Sequence, residues 1–226
     1  MARFHRLQVL ESILDTGLLP MFDSEDVDIA ERIVSACVAG GAKAIEFRNR
    51  GEQGFITFAE LLKRIRKSVP NAILGAGSIV DAPTAALYLA CGAHFVVSPI
   101  LNTEVARLCN RQKVAYLPGV ATATEISAAE ELGVELCKVF PGAEIGGPSF
   151  VKAVCGPLRW TSLMPTGGVD ATEESVRDWI KAGSACLGMS SRLIGKEKDF
   201  HSEEDFVALT TRVRSVIEWV QKARAS

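Results

Sequence analysis

The 226-residue sequence predicts an α/β protein folded as a single (β/α)8 barrel of the TIM type, and three observations carry that expectation. Short apolar or β-branched runs alternate with longer amphipathic segments from one end of the chain to the other. Eight such strand–helix units follow at a spacing of about 20–30 residues, the order expected of parallel strands with helices outside. Apolar residues make up 48% of the chain, enough to fill a sizeable core. Nothing resembles a linker or a low-complexity segment, so residues 1–226 read as one domain. The alternative is an open doubly wound sheet, which would need a crossover or a nucleotide fingerprint that is not visible.

The elements follow in order. A leading helix over 3–15 carries Phe4, Leu7, Val9, Leu10 and Leu14 as its apolar residues. A short buried strand covers 18–22, and Asp23 and Ser24 are good caps for the next helix, which ends near Gly40 and Gly41. The second strand is 43–47 with a helix over 56–68, and the third is 72–76 with a helix over 81–91 ended by Gly92. Strand four is 94–97 with a helix over 103–112; strand five is 114–117 with a helix over 123–132 that stops at Gly133. Strand six, 135–140, leads to a helix near 147–155, and strand seven, 161–164, to a helix over 172–181 ending near Gly183. Strand eight is 184–187. A long final helix over 203–223 carries Val213, Val216, Ile217 and Val220, a stripe suited either to its own barrel or to another copy.

Composition narrows the function. There are 25 Lys and Arg against 27 Asp and Glu, a net charge of −2, which gives no electrostatic case for nucleic acid or a membrane surface. An anionic ligand must therefore be held by a local site. The six cysteines form no CxxC pair and sit mostly in apolar stretches, as reduced core residues of a cytoplasmic protein would. The stretch MARFHRLQVLESILD is charged throughout and lacks the apolar core of a signal peptide. No apolar run approaches the roughly 20 residues of a membrane span. His5, His94 and His201 are scattered without ligand spacing, so neither a metal nor another cofactor is expected, and His94 reads as a packed residue.

Barrel strands are buried on both faces, and a charge within one is costly unless it has a partner or a task. Strand six contains Lys138. Alternation puts Leu136, Lys138 and Phe140 on one face and the small apolar pair Cys137 and Val139 on the helix side, so Lys138 points inward near the C-terminal end of its strand. Active sites of this fold lie at that end. Desolvation disfavours an ammonium, and a neutral amine is what attack on a carbonyl requires. Strand two contains Glu46 and Arg48 facing inward, with Ile45 and Phe47 outward and Arg50 just past the strand. The bland reading is an internal ion pair of Glu46 with Arg48 or Lys138. The functional one is a proton shuttle beside a nucleophilic lysine, with an arginine to hold an anion. Strands seven and eight run into Pro165-Thr166-Gly167-Gly168 and Gly188-Met189-Ser190-Ser191, loops whose backbone N–H groups suit a phosphate.

Several phrases together, AIEFRNR at 44–50, GAGSI at 75–79, SPILN at 98–102, YLPGVATATE at 116–125, CKVFPG at 137–142, MPTGG at 164–168 and LGMSS at 187–191, resemble the 2-keto-3-deoxy-6-phosphogluconate aldolase family. Its members often also cleave 4-hydroxy-2-oxoglutarate, and the matches run in order over about residues 8–195. The resemblance implies a short (β/α)8 barrel, a homotrimer, a small phosphorylated keto-acid substrate, Lys138 as Schiff-base lysine and Glu46 as general acid and base. It implies that Arg50 and the Ser78 hydroxyl hold the substrate carboxylate, that Thr166 contacts the pyruvyl part, and that Pro99 and Phe140 are among the substrate-binding residues. Gly167, Gly168 and Ser190 would grip the phosphate.

The chain departs from the family pattern in three places. Ser78 stands where many members have threonine, Gly142 where alanine often follows the Phe-Pro pair, and Phe47-Arg48-Asn49-Arg50-Gly51 replaces a Thr-Leu-Arg-Thr type stretch. Two arginines therefore compete for the carboxylate; alignment favours Arg50, while parity lets either face the pocket. Three other readings stand beside this one: an aldolase for the galactonate epimer, a barrel that isomerises or transfers groups on a phosphosugar, and a non-catalytic sugar-phosphate binder.

Overall fold

The computed structural model describes residues 3–226, so Met1 and Ala2 of the charged N-terminal stretch lie outside the described residues. Strands β1 (Leu18–Phe22), β2 (Ala44–Arg48), β3 (Ile73–Gly77), β4 (Phe95–Val97) and β5 (Ala115–Leu117) pair in chain order, and β1 also pairs with the last strand, β9 (Leu187–Met189). Strands β6 (Gly119–Val120), β7 (Cys137–Val139) and β8 (Leu163–Pro165) form the remaining arc. Every registered strand pair is parallel. Pro118 separates β5 from β6, because proline has no N–H to give to a ladder. The chain nevertheless runs on, so β5 pairs with β4 and β6 with β7 as two halves of one barrel strand. A bridge between Thr166 and Gly188 joins the β8 side to β9 and closes the ring. Nine short strands thus fill the eight positions of a (β/α)8 barrel.

Around the strands run α2 (Val27–Ala39), α3 (Gly54–Ser68), α4 (Ala82–Cys91), α5 (Thr103–Gln112), α6 (Ala123–Glu131), α7 (Gly147–Cys155) and α8 (Glu173–Lys181). The burial pattern divides into two cores. The larger lies between strands and helices and takes the outward strand residues, among them Ile45, Phe47, Cys137 and Val139. The smaller fills the barrel interior with Leu19, Ala44, Ile73, Phe95, Val97, Leu117, Leu136 and Met164. The parity expected of strands two and six is therefore the parity observed. Leading helix α1 (Arg6–Thr16) contributes Val9, Leu10 and Ile13 to this inner core and so closes the barrel floor. Arg6 fastens it there, donating from Nε to Val114 O at 3.0 Å and from a terminal nitrogen to Asn110 Oδ1 at 2.7 Å. The closing helix α9 (Glu203–Ala225) buries Val213, Val216 and Val220 within its own barrel's outer core, which settles where that stripe packs.

Local expectations change at the α2 cap and at the eighth strand, and the one for His94 holds. The cap of α2 is Asp26, whose Oδ1 accepts from Asp28 N at 2.7 Å and Ile29 N at 3.1 Å. Asp23 and Ser24 are turned elsewhere: Asp23 pairs with Arg48, and Ser24 Oγ donates to Glu197 at 2.6 Å. The eighth strand position begins at Leu187 and not at residue 184, because pairing with β1 starts where Leu187 N reaches Gly17 O at 3.0 Å. His94 precedes β4, is buried, and accepts Leu74 N on Nδ1 at 2.9 Å, the packed role expected of it.

Candidate active site

β2 and β7 stand four positions apart in an eight-membered ring, so their inward side chains face each other across the barrel axis. These side chains are Glu46 and Lys138. Glu46 is 0% exposed and Lys138 6%. Glu46 lies level with Met21 on β1 and Gly75 on β3, and Lys138 with Gly119 on β6 and Met164 on β8. Glycines make the room for Glu46 and, on the next strands, for Thr166. A Cβ at Gly77 would overlap the Glu46 carboxylate, and one at Gly188 would overlap Thr166 Oγ1.

Neither charged group is consumed by the fold. Both Glu46 oxygens are buried without a hydrogen-bond partner in the protein. Lys138 makes no ion pair among the described residues, and its Nζ lies 5.3 Å from the centre of the Phe140 ring. The internal pairing of Glu46 with Arg48 or Lys138 is thus not what the fold builds. A buried carboxyl without a protein donor costs stability, and such costs concentrate where a protein binds or reacts.

The remaining candidates sit at the C-terminal rim. Ser78 follows β3 with φ of 59°, a left-handed backbone rare for a residue with a side chain. Arg50 follows β2 in a tight turn, its N donating to Arg48 O at 2.9 Å, with Gly51 left-handed at φ 75°. Pro99 and Phe140 are half-buried at the ends of β4 and β7. Thr166 is buried after β8, with Oγ1 unpartnered and its N donating to Val139 O at 2.9 Å. Gly167 and Gly168 follow at φ 90° and 77°. Ser190 starts a helical turn, its carbonyl accepting Leu193 N at 2.9 Å and Ile194 N at 2.8 Å, so the first N–H groups of that turn are not used inside it. Arg192 and Asp170 pair at 3.2 Å and tie the two loops together.

Gly142 acquires a physical account. Its N donates to Thr166 O at 2.8 Å, and a Cβ there would come within 2.8 Å of Gly167 O. Glycine lets the β7–α7 loop lie directly on the β8 loop.

The competition between the arginines also resolves into different environments. Arg48 is half-buried and pairs with Asp23, while Arg50 is exposed and has no ion pair among the described residues. Burial pulls the Arg48 guanidinium below its ordinary pKa; Asp23 opposes the shift, Arg50 adds to it and Glu46 opposes it. Both arginines line a cleft of about 530 Å³ with Asp23, Ser191, Lys196 and Lys198. The Asp23–Arg48 pair was not foreseen. Its signal was present in the parity of β1, where 19, 21 and 23 share the inward face.

Comparison with known proteins agrees with the barrel fold. A family model described as KDPG and KHG aldolase matches residues 9–211. A 2-dehydro-3-deoxy-phosphogluconate aldolase of Treponema pallidum is 32% identical over 163 residues, 72% of this chain and 76% of its own. A KHG/KDPG aldolase of Escherichia coli is 30% identical over 182 residues, 80% of this chain and 83% of its own. Among solved structures, a 2-keto-3-deoxy-6-phosphogluconate aldolase from Zymomonas mobilis superimposes with a TM-score of 0.77 at 28% identity, covering 91% of this chain and 96% of that one. A family match over most of the chain, relatives at 30% and 32% identity over more than two thirds of it and a shared barrel together show that this chain belongs to the KDPG and KHG aldolase family.

Proposed function

We propose that this chain is a class I aldolase that cleaves 2-keto-3-deoxy-6-phosphogluconate to pyruvate and glyceraldehyde 3-phosphate, with Lys138 as the Schiff-base nucleophile. One observation carries the reading: Lys138 and Glu46 are buried on opposite inward faces of the barrel, and neither is neutralised by the protein. The names of the relatives supply the substrate class, and the rim residues fit it. Cleavage of 4-hydroxy-2-oxoglutarate to pyruvate and glyoxylate follows the same chemistry.

The Lys138 amine adds to the C2 ketone, and loss of water leaves an iminium that acts as an electron sink. Glu46, directly or through one water, takes the C4 hydroxyl proton. The C3–C4 electron pair moves into the iminium, the aldehyde leaves, and a pyruvyl enamine remains on Lys138. Glu46 returns the proton to C3, and water hydrolyses the iminium to free pyruvate and the amine. Arg50 and Ser78 hold the C1 carboxylate, and Thr166, Pro99 and Phe140 line the pyruvyl part. Gly167, Gly168 and Ser190 hold the phosphate. A phosphosugar isomerase or a binding protein would need no such lysine.

The same reading makes the chain a cytoplasmic homotrimer. Its six cysteines are free, as in a reducing compartment. Ile56, Val80, Leu87 and Ile100 are exposed on three consecutive strand–helix units, an apolar face suited to a second copy.

The test is Glu46→Gln assayed by pyruvate release from both C4 epimers of the phosphorylated substrate. We expect kcat to fall by about 10²–10⁴ while pyruvate still forms its adduct. Retention of wild-type kcat would remove Glu46 from the mechanism.

A further inference from the structure

Arg48 has no part in the scheme above, yet its surroundings are built for an anion. It is the next inward residue after Glu46 on β2, about 7 Å further along the strand. One terminal nitrogen pairs with Asp23, while Nε is buried with no acceptor. A guanidinium offers five N–H donors in a planar fork, so Asp23 engages only part of it. Nearby Arg50, Lys196 and Lys198 line the same cleft and have no ion-pair partner among the described residues. Asp23, Glu25 and Glu197 line the cleft too, Glu197 accepting from Ser24 Oγ at 2.6 Å and Glu25 N at 2.7 Å, so four cations face three carboxylates and one positive charge is in excess. Asp23 is thus the one ion-pair partner of Arg48 among the described residues.

Position decides which anion fits, on the aldolase reading above. A phosphate carried two carbons beyond the aldehyde carbon extends to the loops after β8 and β9. A carboxylate bonded directly to the aldehyde carbon cannot reach them. It stays beside Glu46, where Arg48 is the adjacent inward side chain. We propose that Arg48 is a specificity-determining residue that binds the carboxylate of short aldehyde acids, of which glyoxylate is the simplest, in exchange for Asp23. The fork geometry suits a carboxylate, and a lysine ammonium would reproduce the charge without the two-point fit.

The experiment measures aldol addition of pyruvate to glyoxylate and to D-glyceraldehyde 3-phosphate. The readout is the ratio of the two KM values, glyoxylate over phosphorylated aldehyde. Arg48→Met raises the ratio by about tenfold or more, the loss of one charge-assisted contact. Arg48→Lys restores part of it, Asp23→Asn lowers it below the wild-type value, and Ser190→Ala moves it in the direction opposite to Arg48→Met. If Arg48→Met does not fold, Asp23→Asn alone decides, since it keeps the arginine. An unchanged ratio, with a pyruvate adduct still trapped on Lys138, overturns the role of Arg48 and leaves the aldolase reading intact. Absence of that adduct in the wild-type protein overturns both.

Discussion

His94 shows how one buried residue ties stability to pH. Burial first, then Arg66 and Arg3, pull its imidazole from 6.5 down to about 4. Between those values the unfolded chain holds a proton that the folded chain refuses. Stability is therefore complete above about 6.5 and is lost as the pH falls toward 4. The loss reaches roughly 2 kcal/mol at about pH 5. Urea unfolding at about pH 7 and about pH 5 should show it, and His94→Asn should flatten the difference; an equal slope in the variant would contradict it. The same scale shows what a sequence can disclose. Lys138 and Glu46 were legible because a charge inside an apolar strand breaks the burial rule, and alternation then fixes its direction. Asp23 was not, because an Asp-Ser pair before a helix also reads as a cap, and only the tertiary position of Arg48 decides between the two uses.

At the scale of elements, α1 is the part whose role the pattern concealed. Its apolar residues announce an amphipathic helix but not the surface that it covers. In the structure Ile13 is fully buried with Val9 against Leu19, Ala44 and Leu136, so α1 serves as the barrel floor. Ile13→Ala should cost about 2–5 kcal/mol, the range for truncating a buried aliphatic residue. Denaturant unfolding measures this, and a loss under about 0.5 kcal/mol, the surface range, would mean that the floor is not part of the cooperative core. Strand edges were read less well than strand existence. Pairing and not hydropathy sets them: β9 starts at Leu187 because Gly17 is its partner, and Pro118 splits one barrel strand into β5 and β6. Helix α5 (Thr103–Gln112) and helix α7 (Gly147–Cys155) fell where the sequence placed them, since glycines, Asn102 as cap and Pro148 mark their ends locally.

The whole molecule is a barrel closed below by α1, wrapped by α9 and open at the strand C-termini, where the charged residues gather. No helix among the described residues is long and apolar enough to cross a membrane. Burial pushes the Cys37, Cys109, Cys137 and Cys186 thiols up to about 12, which keeps them as inert packing atoms. The exposed face of Ile56, Val80, Leu87 and Ile100 is the feature that one chain leaves unexplained. Sedimentation equilibrium should give a mass three times that of the chain, and Leu87→Glu with Ile100→Glu should shift it toward the monomer. A monomeric wild-type protein at micromolar concentration would contradict the trimer.

The central claim is that Lys138 forms a covalent bond to pyruvate, and it is tested most directly by borohydride reduction with pyruvate present, followed by intact mass and peptide mapping. The account predicts one reduced pyruvyl adduct per chain, located on Lys138 and absent from Lys138→Ala. A folded protein that gives no adduct under saturating pyruvate, or one that carries it on another lysine, would contradict it.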